Sequence, residues 1–297
     1  MSKRTLAIVV GITMSFLYGL MSVFSRWLSL GFGPITQVYL RVFGAAILGS
    51  MVFSRQIKWK KFTTLSLGEW LMLLLMGVGG YGLMVFAITQ GALLTSLLNV
   101  SVVFSTVPFF VYFLGLIFFH KPLNWKVVAL LLISVWGVGI LASGRLIPNL
   151  SQFGIGDWWV LLSTLMEAVW FIGIKVLGNK LNGRELGASA QFIAGAALLV
   201  ASFFVGETGP SFSSLAIPLV TVGLVAGILV NIVTPIMSVF MFNNLDEVFA
   251  TQLLLFENVF SLFIGWMFYH ETRSPLQLLG AGAVVLAVYL MNKIQTT

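Results

Sequence analysis

The chain has 297 residues, of which 59% are hydrophobic and only 8% charged, and its mean hydropathy is +1.04. A soluble domain carries about a quarter charged residues, so this composition excludes one. The apolar segments run continuously rather than in alternation, which predicts an all-α polytopic membrane protein rather than a β-barrel. With no cysteine and two histidines, disulfides, thiolate catalysis and a histidine-based metal site are excluded, and we expect no cofactor.

Polar and Gly/Pro-rich segments divide the chain into ten apolar stretches, each long enough to cross a bilayer. We predict ten transmembrane helices at 5–29, 34–54, 69–89, 92–119, 124–143, 157–180, 186–206, 214–242, 248–269 and 275–292. The first apolar run is longer than the core of a secretory signal, so we expect it to be retained as a span. The predicted boundary between the third and fourth helices, at Gly91, is marked by only a few uncharged residues.

Basic residues are distributed unevenly between the predicted loops. With the N-terminus inside, cytoplasmic segments hold 11 of the 16 Lys and Arg residues, and external segments hold three. This bias predicts a multi-pass protein of the cytoplasmic (inner) membrane with both termini in the cytoplasm. The net charge of +7 therefore requires no nucleic acid. The expected partners are the lipid bilayer and a small-molecule substrate, and the chain is either a monomer or a homodimer.

The second half of the chain repeats features of the first. A shift of 150 residues aligns 110–120 with 260–270, with five identical positions that include a glycine and a histidine. The same shift places Arg41 opposite Gln191. We therefore predict two five-helix repeats, 1–147 and 151–297, joined by a loop at 148–150.

An odd number of helices per repeat has a topological consequence. The second repeat must enter the membrane upside down relative to the first. The loop charges reverse accordingly, since Lys121 in the first repeat becomes Glu271 in the second. An inverted repeat of this kind is typical of secondary transporters, which hold the substrate near the midplane between the two halves.

The halves also carry a residue pattern. It consists of Pro34 and Arg41 early in helix two, and of Glu257-Asn258, Gly265, Glu271 and Gly280 in the second half. With this pattern the chain resembles the drug/metabolite transporter superfamily, with two EamA-type repeats covering nearly its whole length. Asn258 and Lys121 depart from the superfamily, where proline and glutamate are common at these positions. Among its members, the chain is most similar to bacterial amino-acid and metabolite exporters, including the YddG-like aromatic amino-acid exporters.

Four apolar spans carry polar side chains at helical spacing. Lipid cannot satisfy such a stripe, so it faces other helices or water and predicts a central cavity. The predicted substrate-binding residues are Tyr18, Tyr81, Ser101, Ser105, Glu167, Trp170 and Asn231. The alternative is that the serine hydroxyls bind carbonyl groups of their own helix and only hold helices together.

Three charged residues lie inside predicted spans where charge is costly. Glu167 and Glu257 lie near the midplane, where each is a candidate for proton coupling, cation binding or acceptance of a substrate amine. Arg41 offers a planar fork to a substrate carboxylate. The alternatives are that the acids are neutral, that they pair with Arg41 to hold the halves together, or that Arg41 bonds loop carbonyls.

These observations predict a secondary transporter that exports a small metabolite by alternating access. Aromatic or neutral amino acids are the favoured substrate class. The alternatives are proton-coupled efflux of cationic drugs and exchange of phosphorylated solutes or nucleotide sugars. We expect no enzyme, since the chain has neither a histidine cluster nor an intramembrane aspartate pair.

Overall fold

A computed structural model describes residues 2–95, 97–147, 153–206, 217–269 and 274–294. Helices dominate these ranges, and the ranges contain no strand. The helices are α1 (Lys3–Leu28), α2 (Pro34–Val52), α3 (Leu67–Leu74, Leu75–Leu83 and Met84–Leu94), α4 (Leu97–Phe104 and Val107–Phe119), α5 (Trp125–Ser143), α6 (Ile155–Leu177), α7 (Gly183–Val205), α8 (Ile217–Asn244), α9 (Glu247–Leu254 and Phe256–Tyr269) and α10 (Pro275–Ile294). A short 3-10 helix, Trp59–Thr64, precedes α3.

The predicted all-α architecture is confirmed, and the order of the ten helices follows the prediction. By length and composition, nine helices in the described part of the chain are suited to crossing a membrane. The tenth, α9, is divided at Leu255 into pieces of 8 and 14 residues, each too short to span by itself. The predicted linker 148–150 and Glu271 lie outside the described residues.

The boundary between α3 and α4 lies later than predicted. Gly91 is inside α3, and a Cβ atom there would lie 3.1 Å from the carbonyl oxygen of Gly156 at the start of α6. The glycine thus allows α3 and α6 to approach each other closely, and it does not end α3. The chain turns instead at Thr95, whose backbone is extended and whose hydroxyl donates to Asp157.

Side-chain caps fix several helix starts. Ser66 and Glu69 form a capping box at α3, and Asn182 with Glu185 forms another at α7. The second box explains why α7 begins at Gly183, three residues before the predicted start at 186. Asp246 caps α9 through the amides of Val248 and Phe249.

The most extensive helix contacts join the first five helices to the last five. They are α5 with α10, α2 with α7, α1 with α8 and α3 with α6. A shift of five helices converts the α1–α8 contact into the α3–α6 contact, and it maps each of the other two pairs onto itself. This exchange is the arrangement that a pseudo-two-fold axis between two repeats produces.

Two helices are interrupted at equivalent positions. The first piece of α4 ends at Phe104, and the first piece of α9 ends at Leu254, 150 residues later. In α4 the interruption precedes Pro108, which cannot donate a backbone hydrogen bond. In α9 the equivalent residue is Asn258, whose side-chain amide donates to the carbonyl of Leu255 at 3.3 Å.

Candidate functional site

A cavity of about 310 Å³ lies between the two groups of five helices. Its lining comes from α1, α2, α3, α4, α6, α8 and α9, and this volume is at the lower end of the range of small-molecule sites. Seven of the nine predicted site residues line it. They are Tyr18, Arg41, Tyr81, Glu167, Trp170, Asn231 and Glu257.

The structure does not bring the two predicted serines of α4 to this cavity. A smaller cavity of about 30 Å³ lies beside this one. Ser101 lines neither cavity, because the first piece of α4 packs against α5 and α6. Ser105 is 2% exposed, and its hydroxyl donates to the carbonyl of Val102 at 2.7 Å. It lines only the smaller cavity. For Ser105 the structure thus matches the alternative that the hydroxyl binds its own helix.

The two glutamates lie where the large cavity meets the smaller one. Glu167 and Glu257 line both, as do Tyr18 and Phe104. Within the described ranges neither carboxyl group takes part in an ion pair. One oxygen of Glu167, Oε2, is buried without a hydrogen-bond partner among the described residues. Two carboxyl groups are therefore available to a ligand in the cavity.

Arg41 is 6% exposed and lies toward the other end of the cavity. Its Nη1 donates to the hydroxyl of Ser25 at 3.1 Å, and its Nε donates to the carbonyl of Gln37 at 3.2 Å. The aliphatic part of the side chain packs on Gly227 of α8, where a Cβ atom would lie 2.6 Å from Cδ. Arg41 is therefore held by α1, α2 and α8 and does not pair with either glutamate.

An aromatic and polar network forms the middle of the wall. The rings of Tyr81 and Trp170 meet edge to face with their centroids 5.3 Å apart. The hydroxyl of Tyr81 donates to Oδ1 of Asn231, and Gln191 donates to the carbonyl of Asn231 at 2.6 Å. Sequence reasoning placed Gln191 opposite Arg41 but gave it no role in the site.

The backbone geometry of α3 places Tyr81 in this wall. The segment Leu75–Leu83 of α3 is a π-helix, a form that is rare and frequent at functional sites. A Cβ atom at Gly80 would lie 3.0 Å from the backbone nitrogen of Trp170. Glycine therefore lets α3 approach α6 closely enough for the two rings to touch. The cluster of four glycines around Tyr81 is the sequence signal for this feature.

The smaller cavity, about 30 Å³, lies between the two interrupted helices. Ser105 and Val107 of α4 face Thr251 and Leu255 of α9 across it. Its volume accommodates about two water molecules. Interrupted helices expose backbone carbonyl groups that a continuous helix would use, which suits a polar or ionic ligand.

The opposite end of the helix bundle is closed. Within the described ranges, four ion pairs join the first five helices to the last five, all at the end where α1 and α3 begin. We call this the ion-pair end. The pairs are Lys61 with Glu185 (2.8 Å), Lys180 with Glu69 (2.6 Å), and Lys121 with both Asp246 and Glu247. The cavity lies in the other direction, along the later turns of α1 and α3 and the early turns of α2.

The ion pair between Lys121 and Asp246, at this end, is held in its charged state. Partial burial acts to raise the pKa of Asp246, but the Lys121 ammonium and the capped amides of α9 outweigh it and keep this pKa below its usual value. Burial acts to lower the pKa of Lys121, but its hydrogen bonds to Asp246 and Glu247 raise this pKa above its usual value.

Comparisons with known proteins agree with this architecture. A solved crystal structure of a protein superimposes with a TM-score of 0.75, covering 95% of this chain and 96% of the other. At 13% sequence identity, this likeness shows the fold alone. The chain is 28% identical over 197 residues to the uncharacterized inner membrane transporter YedA of Escherichia coli strain K12, and equally to YedA of strains O6:H1 and O157:H7. The match spans 65% of this chain and 60% of the length of those relatives.

The family comparison covers more of the chain. The EamA-like transporter family matches it twice, over residues 5–143 and 154–293. Each match takes in five of the helices described above. The chain therefore belongs to the EamA-like transporter family.

Proposed function

We propose that the protein exports small amino metabolites, with neutral and aromatic amino acids as the substrate class, by alternating access. The observation that carries this proposal is the cavity between the helix groups, with two carboxyl groups at one end and an aromatic pair in its wall. A substrate ammonium is stabilised by Glu167 and Glu257, whose oxygens have no ion-pair partner among the described residues. An aromatic side chain packs on Tyr81 and Trp170.

Alternating access is supported by the asymmetry between the two ends. The cavity extends away from the ion-pair end, which is sealed by buried aromatic rings as well as by charge. The rings of Phe171 and Phe242 are stacked with centroids 4.9 Å apart, and Phe249 is 1% exposed. A transporter must open such a seal and close the other end when the two halves rock.

The loop charges favour placing the ion-pair end in the cytoplasm, with both termini there. The state described is then closed to the cytoplasm. The chain has no cysteine, so single cysteines report orientation cleanly. Labelling of Lys58→Cys by an impermeant maleimide from outside intact cells would contradict this orientation.

Energy coupling is proposed to act through Glu257, which lines the cavity beside the interruption of α9. Protonation and binding of a substrate ammonium then compete for one carboxyl group. We expect Glu257→Gln, which mimics the neutral acid at nearly constant volume, to abolish the response of transport to an imposed pH gradient. The measurement is uptake of a labelled amino-acid mixture into proteoliposomes with and without that gradient.

The matched control is Glu69→Gln, the same change at a carboxyl group that lies outside the cavity. It should retain the pH response, whatever its effect on the maximal rate. An unchanged pH response in Glu257→Gln would remove this residue from coupling and favour facilitated diffusion, with Glu167 the next carboxyl group to test. Failure of every amino compound to enter the vesicles would contradict the proposed substrate class.

Efflux of cationic drugs is the second candidate, favoured by the same carboxyl groups and ring faces. The discriminating residue is Arg41, because a cation gains nothing from a guanidinium group in the wall. Exchange of phosphorylated solutes is less well supported. Arg41 is the one Lys or Arg among the described residues that line the large cavity, whereas a phosphate site combines several cations.

A further inference from the structure

The charged groups of the large cavity lie at two separate levels. Arg41 and Ser25 line the large cavity but not the small one, whereas Tyr18, Glu167 and Glu257 line both. The glutamates therefore lie at the inner end of the large cavity, beside Tyr18, and the guanidinium group lies toward the other end, beside Ser25.

Helix α1 gives the scale of the separation between these levels. Tyr18 and Ser25 are seven residues apart on this uninterrupted helix, which corresponds to about 10 Å along its axis at 1.5 Å per residue. The bond from Arg41 Nη1 to the Ser25 hydroxyl, at 3.1 Å, fixes the guanidinium at the upper level. No hydrogen bond within the described ranges involves Nη2, so this nitrogen remains for a ligand.

A ligand that contacts both levels needs its own charges apart. Charge-assisted hydrogen bonds of about 2.8 Å at each end cover only part of a separation of this order, so the ligand's own charges must cover the rest. The ammonium and carboxylate groups of an α-amino acid share one carbon atom and are too close together. A γ- or δ-amino carboxylate holds its charges farther apart, and so does a dipeptide, since each residue of extended chain adds about 3.5 Å.

We propose that this cavity selects zwitterions by charge spacing, preferring ω-amino carboxylates and dipeptides to α-amino acids. The ammonium group binds at Glu167 and Glu257, and the carboxylate binds at Arg41. This inference rests on the proposed transport of amino metabolites, and within that group it ranks zwitterions with separated charges above the α-amino acids. The carbon chain or peptide unit between the charges lies along the wall formed by Tyr81 and Trp170.

The test is a homologous series of unbranched probes: glycine, β-alanine, γ-aminobutyrate, δ-aminovalerate and ε-aminocaproate. We expect affinity for the purified protein, measured by calorimetry, to peak at γ-aminobutyrate or δ-aminovalerate, about tenfold above glycine, because a second charged hydrogen bond is made only there. Butylamine, which lacks the carboxylate, measures the ammonium end alone.

The variant Arg41→Gln should bring the affinity ratio of γ-aminobutyrate to butylamine close to one, whereas Arg41→Lys should retain part of the preference. If Arg41→Gln does not fold, the wild-type series and Arg41→Lys still decide. Affinity independent of spacing in the wild type, or a preference for γ-aminobutyrate that survives Arg41→Gln, would overturn this inference while leaving amino-acid transport intact. If no amino compound binds or is transported, the proposed function itself is wrong.

Discussion

At the scale of single residues, the hydroxyl group of Tyr81 is where the two helix groups meet. It donates to Oδ1 of Asn231, which is 150 residues further along the chain. The sequence shift that aligns the two halves makes these two residues equivalent. Residues related by a two-fold axis touch each other only near that axis, so the Tyr81–Asn231 pair lies close to it.

Removing this hydroxyl should destabilise the protein. In Tyr81→Phe the amide oxygen of Asn231, a residue that is 8% exposed, loses its donor. An unsatisfied buried acceptor costs about 1–3 kcal/mol, so we expect a lower melting temperature in detergent. The control is Tyr289→Phe on α10, where the tyrosine is 53% exposed. Equal melting temperatures for the two variants would show that the pair does not hold the helix groups together.

At the scale of helices, interruption is achieved in two chemical ways. Pro108 interrupts α4 because it lacks a backbone N–H group. Asn258 occupies the equivalent place in α9, where its backbone N–H and its side-chain amide both donate to the Leu255 carbonyl. The departure from the family pattern at Asn258 therefore keeps the interruption of the helix but uses an asparagine in place of a proline.

Exchanging Pro108 and Asn258, the residues at the two helix interruptions, should be tolerated. We expect the reciprocal double variant Pro108→Asn/Asn258→Pro to transport at a rate within a few-fold of the wild type, because both interruptions persist. Asn258→Leu has nearly the same volume but no capping amide, and it should transport more slowly, since α9 then gains from becoming continuous beside Glu257. Initial uptake rates in proteoliposomes provide the comparison. Similar rates for Asn258→Leu and for the reciprocal double variant would contradict this role of the interruption.

The sequence predicted helices better than their internal breaks. Continuous hydropathy reveals the spans, and loop punctuation sets most of their ends. However, the division of α9 at Leu255 involves neither proline nor glycine, the strongest signals of a helix break, and Asn258 alone does not predict one. The polar stripes marked four of the seven helices that line the large cavity. A stripe does not distinguish Ser105, which lines only the small cavity, from Asn231, which lines the large one, since each also bonds a carbonyl of its own helix. That difference arises from the break in α4, which a hydropathy pattern does not contain.

At the scale of the whole molecule, the four ion pairs are the charged part of the closure between the helix groups. Glu185 and Glu247 are buried, at 0% and 1% exposure, so loss of a lysine partner leaves a costly unpaired charge. The lowered pKa of Asp246 and the raised pKa of Lys121 make their pair stabilising from above the ordinary aspartate value of 3.8 to below the ordinary lysine value of 10.5. The pair weakens only outside this range, as pH falls through the Asp246 pKa or rises through the Lys121 pKa. A pH dependence of transport near neutrality therefore does not originate in this pair.

Opening of the ion-pair end can be tested by locking it. Glu69 lies at the start of α3 and Lys180 follows α6, so their 2.6 Å ion pair bridges the two helix groups at the surface. Lys180 is 54% exposed, which makes a cysteine at this position accessible to reagent. We expect the double variant Glu69→Cys/Lys180→Cys, cross-linked by a short bis-methanethiosulfonate reagent, to lose transport and to regain it when dithiothreitol cleaves the bridge.

Each single cysteine variant treated with the same reagent controls for modification without bridging, and the cysteine-free wild type controls for the reagent itself. Mass spectrometry gives the cross-linked fraction, so that activity can be plotted against it. If the halves rock, activity falls in proportion to this fraction, because one covalent bridge holds the end shut in every cross-linked molecule. Undiminished transport at complete cross-linking would mean that α3 and the α6–α7 connection stay together throughout the cycle. The substrate would then have to pass by movement of α4 and α9 alone, whose interruptions at Phe104 and Leu254 lie beside the cavity.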